Sequence, residues 1–238
     1  MRRHVTALEQ FKQTLGIAEE LLSIERKHHN NPPRLAEQKA VQGLRGGVAV
    51  LSVAAFESFL KELMEEQLGE LVTHHHSLSF EKLPDALRVN SVYKALDRAM
   101  KGPPFQTAPP KDQRIPDIER ACLNVISRTV DPRVFCEVSS NPNSKNVKAL
   151  FRDVAIPDIF TQIKSRFDHR WGKPTAQTFI EDKLNEVVNR RHIVAHTADA
   201  LQITRSDLKE SLRFLKILAG LLELELKNHT KNLIKTCC

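Results

Sequence analysis

The chain has 238 residues, 41% of them hydrophobic and 27% charged, a globular balance that excludes a disordered chain and leaves ample length for a core. Aromatic residues make up only 5%, which argues against an RNA binder built on stacking platforms. A net charge of +7 suits a polyanionic partner such as RNA without requiring one.

Val5, Leu8, Phe11, Leu15, Ala18 and Leu22 recur at three- and four-residue steps and predict a first helix over about 5–26. The opening MRRHVTALEQFKQ has no apolar core and no cleavage site, so a secretory signal is not expected and the protein is placed in the cytoplasm. Asn30 to Pro33 ends the first pattern. A long second helix follows over about 35–72, with Leu44, Val48, Leu51, Ala55, Phe59 and Leu63 on its buried side. Gly46-Gly47 inside it costs about 1 kcal/mol per glycine relative to alanine, which implies close helix contact or a kink. Charge interrupts the apolar stretches every few residues, so nothing is expected to approach a membrane span.

Residues 73–142 read as a middle segment inserted into one domain spanning 1–238, because prolines divide the segment into short pieces. Helices are expected there at about 84–101 and 116–129. His74, His75 and His76 form a metal-avid run of the kind that usually faces solvent. Cys122, Cys136, Cys237 and Cys238 show no C-x-x-C and no paired zinc spacing, and the terminal pair reads as a frayed, incidental end. SNPNSKNVKALFRDVAI predicts a loop, a Ser144 N-cap and a short helix. A further short helix is expected over 157–167, with a turn at 169–174. TAQTFIEDKLNEVVNRRHIVAH predicts a helix over about 176–196. Thr204 to Asp207 then forms a capping-box start for a leucine-striped helix over about 205–228. No segment alternates with period two, so the fold class is all-α, a helical bundle with an additional middle helical segment.

VVNRRHIVAH, residues 187–196, sets Asn189, Arg190, Arg191, His192 and His196 among packing residues. With ten histidines in the chain, an arginine a few positions before one of them is expected by chance. Two readings stay open from the residues. In the first, the arginines are only solvated cations near a helix C-terminus, favourable by about 0.3–1 kcal/mol each, with both histidines partly buried. In the second, His192 and His196 share a helix face and bind a metal, but H-x-x-x-H lacks the glutamate of H-E-x-x-H and an identifiable third ligand.

RRHIVAH followed by TRSDLKESLRFLKILAGLLE, SVAAFESFLKELM in the second helix, and NPNSKNVKALFRDVAI together resemble the HEPN superfamily, closest to its RiboL-PSP-HEPN branch. That signature is an Arg, four to six residues, then His; Arg191 and Arg190 both fit it with His196, and His192 fills the polar place after Arg191. The resemblance implies a HEPN-like bundle carrying a metal-independent endoribonuclease with no cofactor. Its catalytic residues would be Arg191, His196, Arg190 and His192, with Asn189 and Glu57 in support. It further implies an RNA substrate, a homodimer with a composite active site, a toxin or antiviral defence setting and a regulatory or antitoxin partner. HepT-type members carry a tyrosine two positions beyond the histidine; Ala198 stands there in this chain and argues against that arrangement. The alternatives are a non-catalytic HEPN module that binds RNA or scaffolds a partner, and a helical interaction protein.

Overall fold

The computed structural model describes residues 5–73, 79–102, 109–136, 141–197 and 200–237. Among them lie eight α-helices and no strand: α1 Ala7–His28, α2 Gln38–Thr73, α3 Asp85–Lys101, α4 Ile115–Ile126, α5 Ser144–Asp153, α6 Ile159–Trp171, α7 Phe179–Thr197 and α8 Arg205–Cys237. The run His74–His76, Ala198 and Cys238 fall outside the described residues.

The chain forms two compact units, one of 1–59, 141–144 and 160–223, the other of 60–140, 145–159 and 224–238. The first unit combines α1, α6, α7, the start of α2 and the larger part of α8. Thr6 caps α1 in a reciprocal box with Glu9, which fixes the register that buries Phe11, Leu15 and Ala18. Phe11 meets Phe56 and Phe59 of α2 at centroid separations of 6.3 and 5.2 Å. On α6, Phe167 packs against Trp171 and against Phe214 of α8, at 5.6 and 5.8 Å. The glycine pair on α2 marks close approach. A Cβ on Gly46 would stand 3.0 Å from Val194 Cγ1 of α7, and one on Gly47 would stand 3.3 Å from Leu21 Cδ1 of α1.

An ionic triad, buried at Glu25 and Arg45, links α1, α2 and α8. Glu25 of α1 is fully buried and accepts from Arg45 of α2, through Nη2 at 2.9 Å and Nε at 3.0 Å. Arg205 at the start of α8 donates to the second Glu25 oxygen. Arg45 Nη1 also donates to the Ile203 carbonyl at 2.9 Å, so the segment entering α8 is tied to α1 and α2.

In the second unit, α3 is joined to the end of α5 by Lys94, 2.9 Å from Asp153, and His229 Nε2 of α8 lies 2.9 Å from the Val154 carbonyl. α8 continues well past the expected 228, because Leu226, Thr230, Leu233 and Cys237 extend its buried stripe. Cys237 is therefore not frayed: it is buried, and its thiol donates to the Lys82 carbonyl at 3.4 Å.

Four other boundaries differ from expectation. α6 runs through His169 and Arg170 to Trp171 and turns at Gly172, whose φ is 91°, because Trp171 belongs to the aromatic cluster. α7 starts at Phe179: the Thr175 hydroxyl donates to Asp168 at 2.7 Å and its carbonyl accepts from Lys164 at 2.8 Å, holding Thr175 as loop. α4 stops at Ile126, with Arg128 in the left-handed region at φ 53°. Ser144 is the first helical residue of α5, not its cap.

Contrary to the expectation that nothing approaches a membrane span, the run Leu35–Thr73 is long and apolar enough to cross one by length and composition. The reason is local: no charge falls between Arg45 and Glu57. Within the protein 56% of its most apolar window is buried, as in a helix that serves as core.

Candidate functional site

α7 buries Leu184, Val187 and Val188, which orients every other residue of the motif. At 100° per residue, Asn189, His192, Ile193 and His196 fall on the opposite side, and all four are exposed. His192 and His196, one turn apart, have ring centroids 4.2 Å apart at 57°. They are not the partly buried histidines of the solvated-cation reading. Ile193 is 42% exposed among them, so the face combines two imidazoles, an amide and an apolar side chain.

The two arginines have different environments. Arg190, with a side chain only 16% exposed, reaches across to α8. Its Nη1 donates to Ser211 Oγ at 2.8 Å and to the Asp207 carbonyl at 3.2 Å. Its Nη2 lies 3.0 Å from Asp207 Oδ1 and also engages Glu186. This is a clamp between helices rather than a solvated cation.

Asp207 has a second role in the same place, as the expected capping box: it accepts from the Thr204 hydroxyl at 2.7 Å and from the Thr204 amide at 3.0 Å. Burial alone would raise its carboxyl; the Thr204 hydroxyl and amide, with the charges of Arg190 and Lys183, instead hold it below the ordinary carboxylate value.

Arg191 is half-buried and donates a hydrogen bond from Nη1 to Asn141 Oδ1 at 2.8 Å. The loop that presents Asn141 is itself fixed from α7, since the Ser144 amide donates to Asn185 Oδ1 at 3.0 Å. Five positions along a helix amount to roughly 140° of rotation, so Arg191 and His196 leave α7 in different directions. Glu57 is half-buried on α2. The arginines engage Glu186, Asp207, Ser211 and Asn141.

Those partners are not legible as such in the sequence. Asn141 lies fifty residues from Arg191; its only local signal is an Asn-Pro turn. Asp207 carries the signal of a helix cap alone. Among the described residues, no group of three or more His, Cys, Asp and Glu side chains is placed to hold a metal ion.

A family model described as RiboL-PSP-HEPN matches residues 13–228, a span that includes the whole of α7 and the three stretches that carry the resemblance. No curated protein matches the chain, and no solved structure does.

Proposed function

The chain belongs to the RiboL-PSP-HEPN family, and on that premise we propose that it is a metal-independent endoribonuclease, acting as a toxin or antiviral defence effector. The observation that carries this reading is the exposed pair His192 and His196 on one face of α7, with Arg191, roughly 140° round the helix from His196, held by Asn141.

In the reaction a base takes the proton from the 2′-hydroxyl, and the 2′-oxygen attacks the adjacent phosphorus. The bond from phosphorus to the 5′-oxygen then breaks as an acid protonates the leaving oxygen, giving a 2′,3′-cyclic phosphate. His196 is the proton carrier and Arg191 stabilises the charge that builds on the phosphorane. Two proton movements need two groups on opposite sides of one phosphate, which two histidines on one helix face do not supply, and Arg191 and His196 diverge within one helix. A two-fold homodimer answers both needs by setting His196 of each copy across one phosphate, with the exposed Ile193 at the interface. His192 and Asn189 border the phosphate in this arrangement, and Arg190 keeps α7 in place.

One observation favours the non-catalytic alternative, an RNA-binding or scaffolding HEPN module: both guanidinium groups already have protein partners. Cleavage of single-stranded RNA in excess EDTA decides between them. The enzyme reading expects cyclic or 3′-phosphate ends, loss of cleavage in His196→Ala with helical content intact, and no cleavage of DNA, which lacks the 2′-hydroxyl. Cleavage that persists in His196→Ala ends the mechanism.

A further inference from the structure

A groove of about 630 Å³ runs between α1 and α8, and no residue of the 187–196 motif is among its lining. On α8 its lining recurs from Arg205 to Ile217 at three- and four-residue steps, a single face about 18 Å long at 1.5 Å per residue. On α1 it is lined from Glu19 to Arg26 in the same way. Leu22, Leu212 and Ile217 form an apolar floor, and Leu22 and Ile217 are partly open to solvent. The walls are cationic. Arg205 is engaged by Glu25, Lys216 by Glu19 at 2.6 Å, and Arg213 by the Trp171 carbonyl at 2.6 Å and the Trp171 ring. Arg26 and Lys209, one on each wall, are exposed and have no ion-pair partner among the described residues.

We propose that this groove docks an acidic amphipathic helix of a partner protein. The length suits about three turns of helix. An apolar floor asks for side chains at i, i+3 or i+4 and i+7. Arg26 and Lys209 ask for carboxylates on the two flanks of that apolar stripe, since opposite charge at a rim gives register and partner choice. Single-stranded RNA fits less well. No aromatic side chain lines the groove to stack a base, and an apolar floor gives a sugar-phosphate chain no hydrogen bonds. Docking here does not depend on the proposed cleavage activity, and its readout is binding.

The test is fluorescence anisotropy on the full chain with a labelled, side-chain-stapled helix of about 14 residues. Its leucines lie on one face and its glutamates on both flanks. The controls are an isomer of identical composition with the leucines scattered, and a single-stranded RNA of similar length. The amphipathic helix is expected to bind at least about tenfold more tightly than its isomer. Arg26→Glu with Lys209→Glu changes two exposed residues, and far-UV circular dichroism checks that the fold is kept. That variant should lose about tenfold or more for the acidic helix and gain affinity for the analogue with lysine in place of glutamate. Ile217→Asp should weaken both peptides. Equal binding of helix and isomer overturns the proposal, as does a charge-reversed variant that binds the acidic helix like the wild type. RNA that binds and displaces the acidic helix also overturns it and makes the groove a nucleic-acid surface.

Discussion

Arg191 of α7 donates from Nη1 to Asn141 Oδ1 at 2.8 Å, so the arginine of the shorter motif register is aimed by a loop fifty residues away. An arginine aimed from outside its own helix keeps its remaining donors in a set direction. Asn141→Ala is expected to lower RNA cleavage by about tenfold to hundredfold, the scale of a misplaced catalytic group, with thermal stability nearly unchanged. Asn141→Asp keeps an acceptor but adds a charge that competes with phosphate, so it should also lose activity and should raise KM. Wild-type cleavage in Asn141→Ala would show that the contact aims nothing.

Arg190 and Arg191 are separable by the same assay paired with a melt. Arg190→Ala removes hydrogen bonds to Ser211 and Asp207 and should cost about 1–3 kcal/mol, as for hydrogen bonds to a charged group. Its cleavage should survive in the folded fraction. Arg191→Ala should melt near the wild type and lose cleavage by about a hundredfold or more, as when one charge-stabilising donor is removed. Arg191→Lys should restore part of it, since an ammonium lacks the bidentate grip. An inactive, normally stable Arg190→Ala protein would move the catalytic register to Arg190.

The pattern of the fold is legible in the sequence because helices announce themselves through one face. The stripes of α1, α2 and α8 and the Thr204–Asp207 box follow from spacing alone. What spacing does not give is where a helix end is held from elsewhere. α6 reaches Trp171 because of Phe167 and Phe214, and α8 reaches Cys237 because its buried stripe runs on past Leu226. At the site, the exposed side of α7 follows from its period, whereas the difference between Arg190 and Arg191 depends on Asp207, Ser211 and Asn141. Each of those belongs to another element, and no local pattern names it.

The Glu25 triad yields a stability prediction. Glu25→Ala leaves Arg45, 3% exposed, as a buried cation without its carboxylate, and breaking such a pair costs about 3–5 kcal/mol. Glu25→Gln keeps one acceptor and should cost less. Chemical denaturation of the two variants measures the difference; an Ala variant as stable as the wild type would mean that water takes over the contact.

Gly46 yields a packing prediction. Alanine there would gain about 1 kcal/mol of helix propensity against a Cβ placed 3.0 Å from Val194 Cγ1, so its net effect should be small. Leucine has no such room, and overpacking should cost about 1–3 kcal/mol. Val194→Ala in the Gly46→Leu background should recover part of the loss. Thermal melts that show no recovery would place the strain away from Val194.

His229 gives the pH prediction. Burial lowers its pKa from the ordinary 6.5, against the opposing effects of its hydrogen bond to the Val154 carbonyl and of Glu225. A histidine whose folded pKa lies below its unfolded value binds fewer protons in the folded state, so stability rises with pH across that window. Going down, the contribution of His229 is fully present above about 6.5 and is lost progressively as the pH falls toward the folded value. Below the folded value both states are protonated and the slope from this group ends. His229→Gln keeps a donor toward Val154 without titrating. Urea denaturation at pH 7.5 and 5.5 should show the wild type losing more stability on acidification than the glutamine variant. Equal losses in the two proteins would mean that His229 does not set the pH dependence.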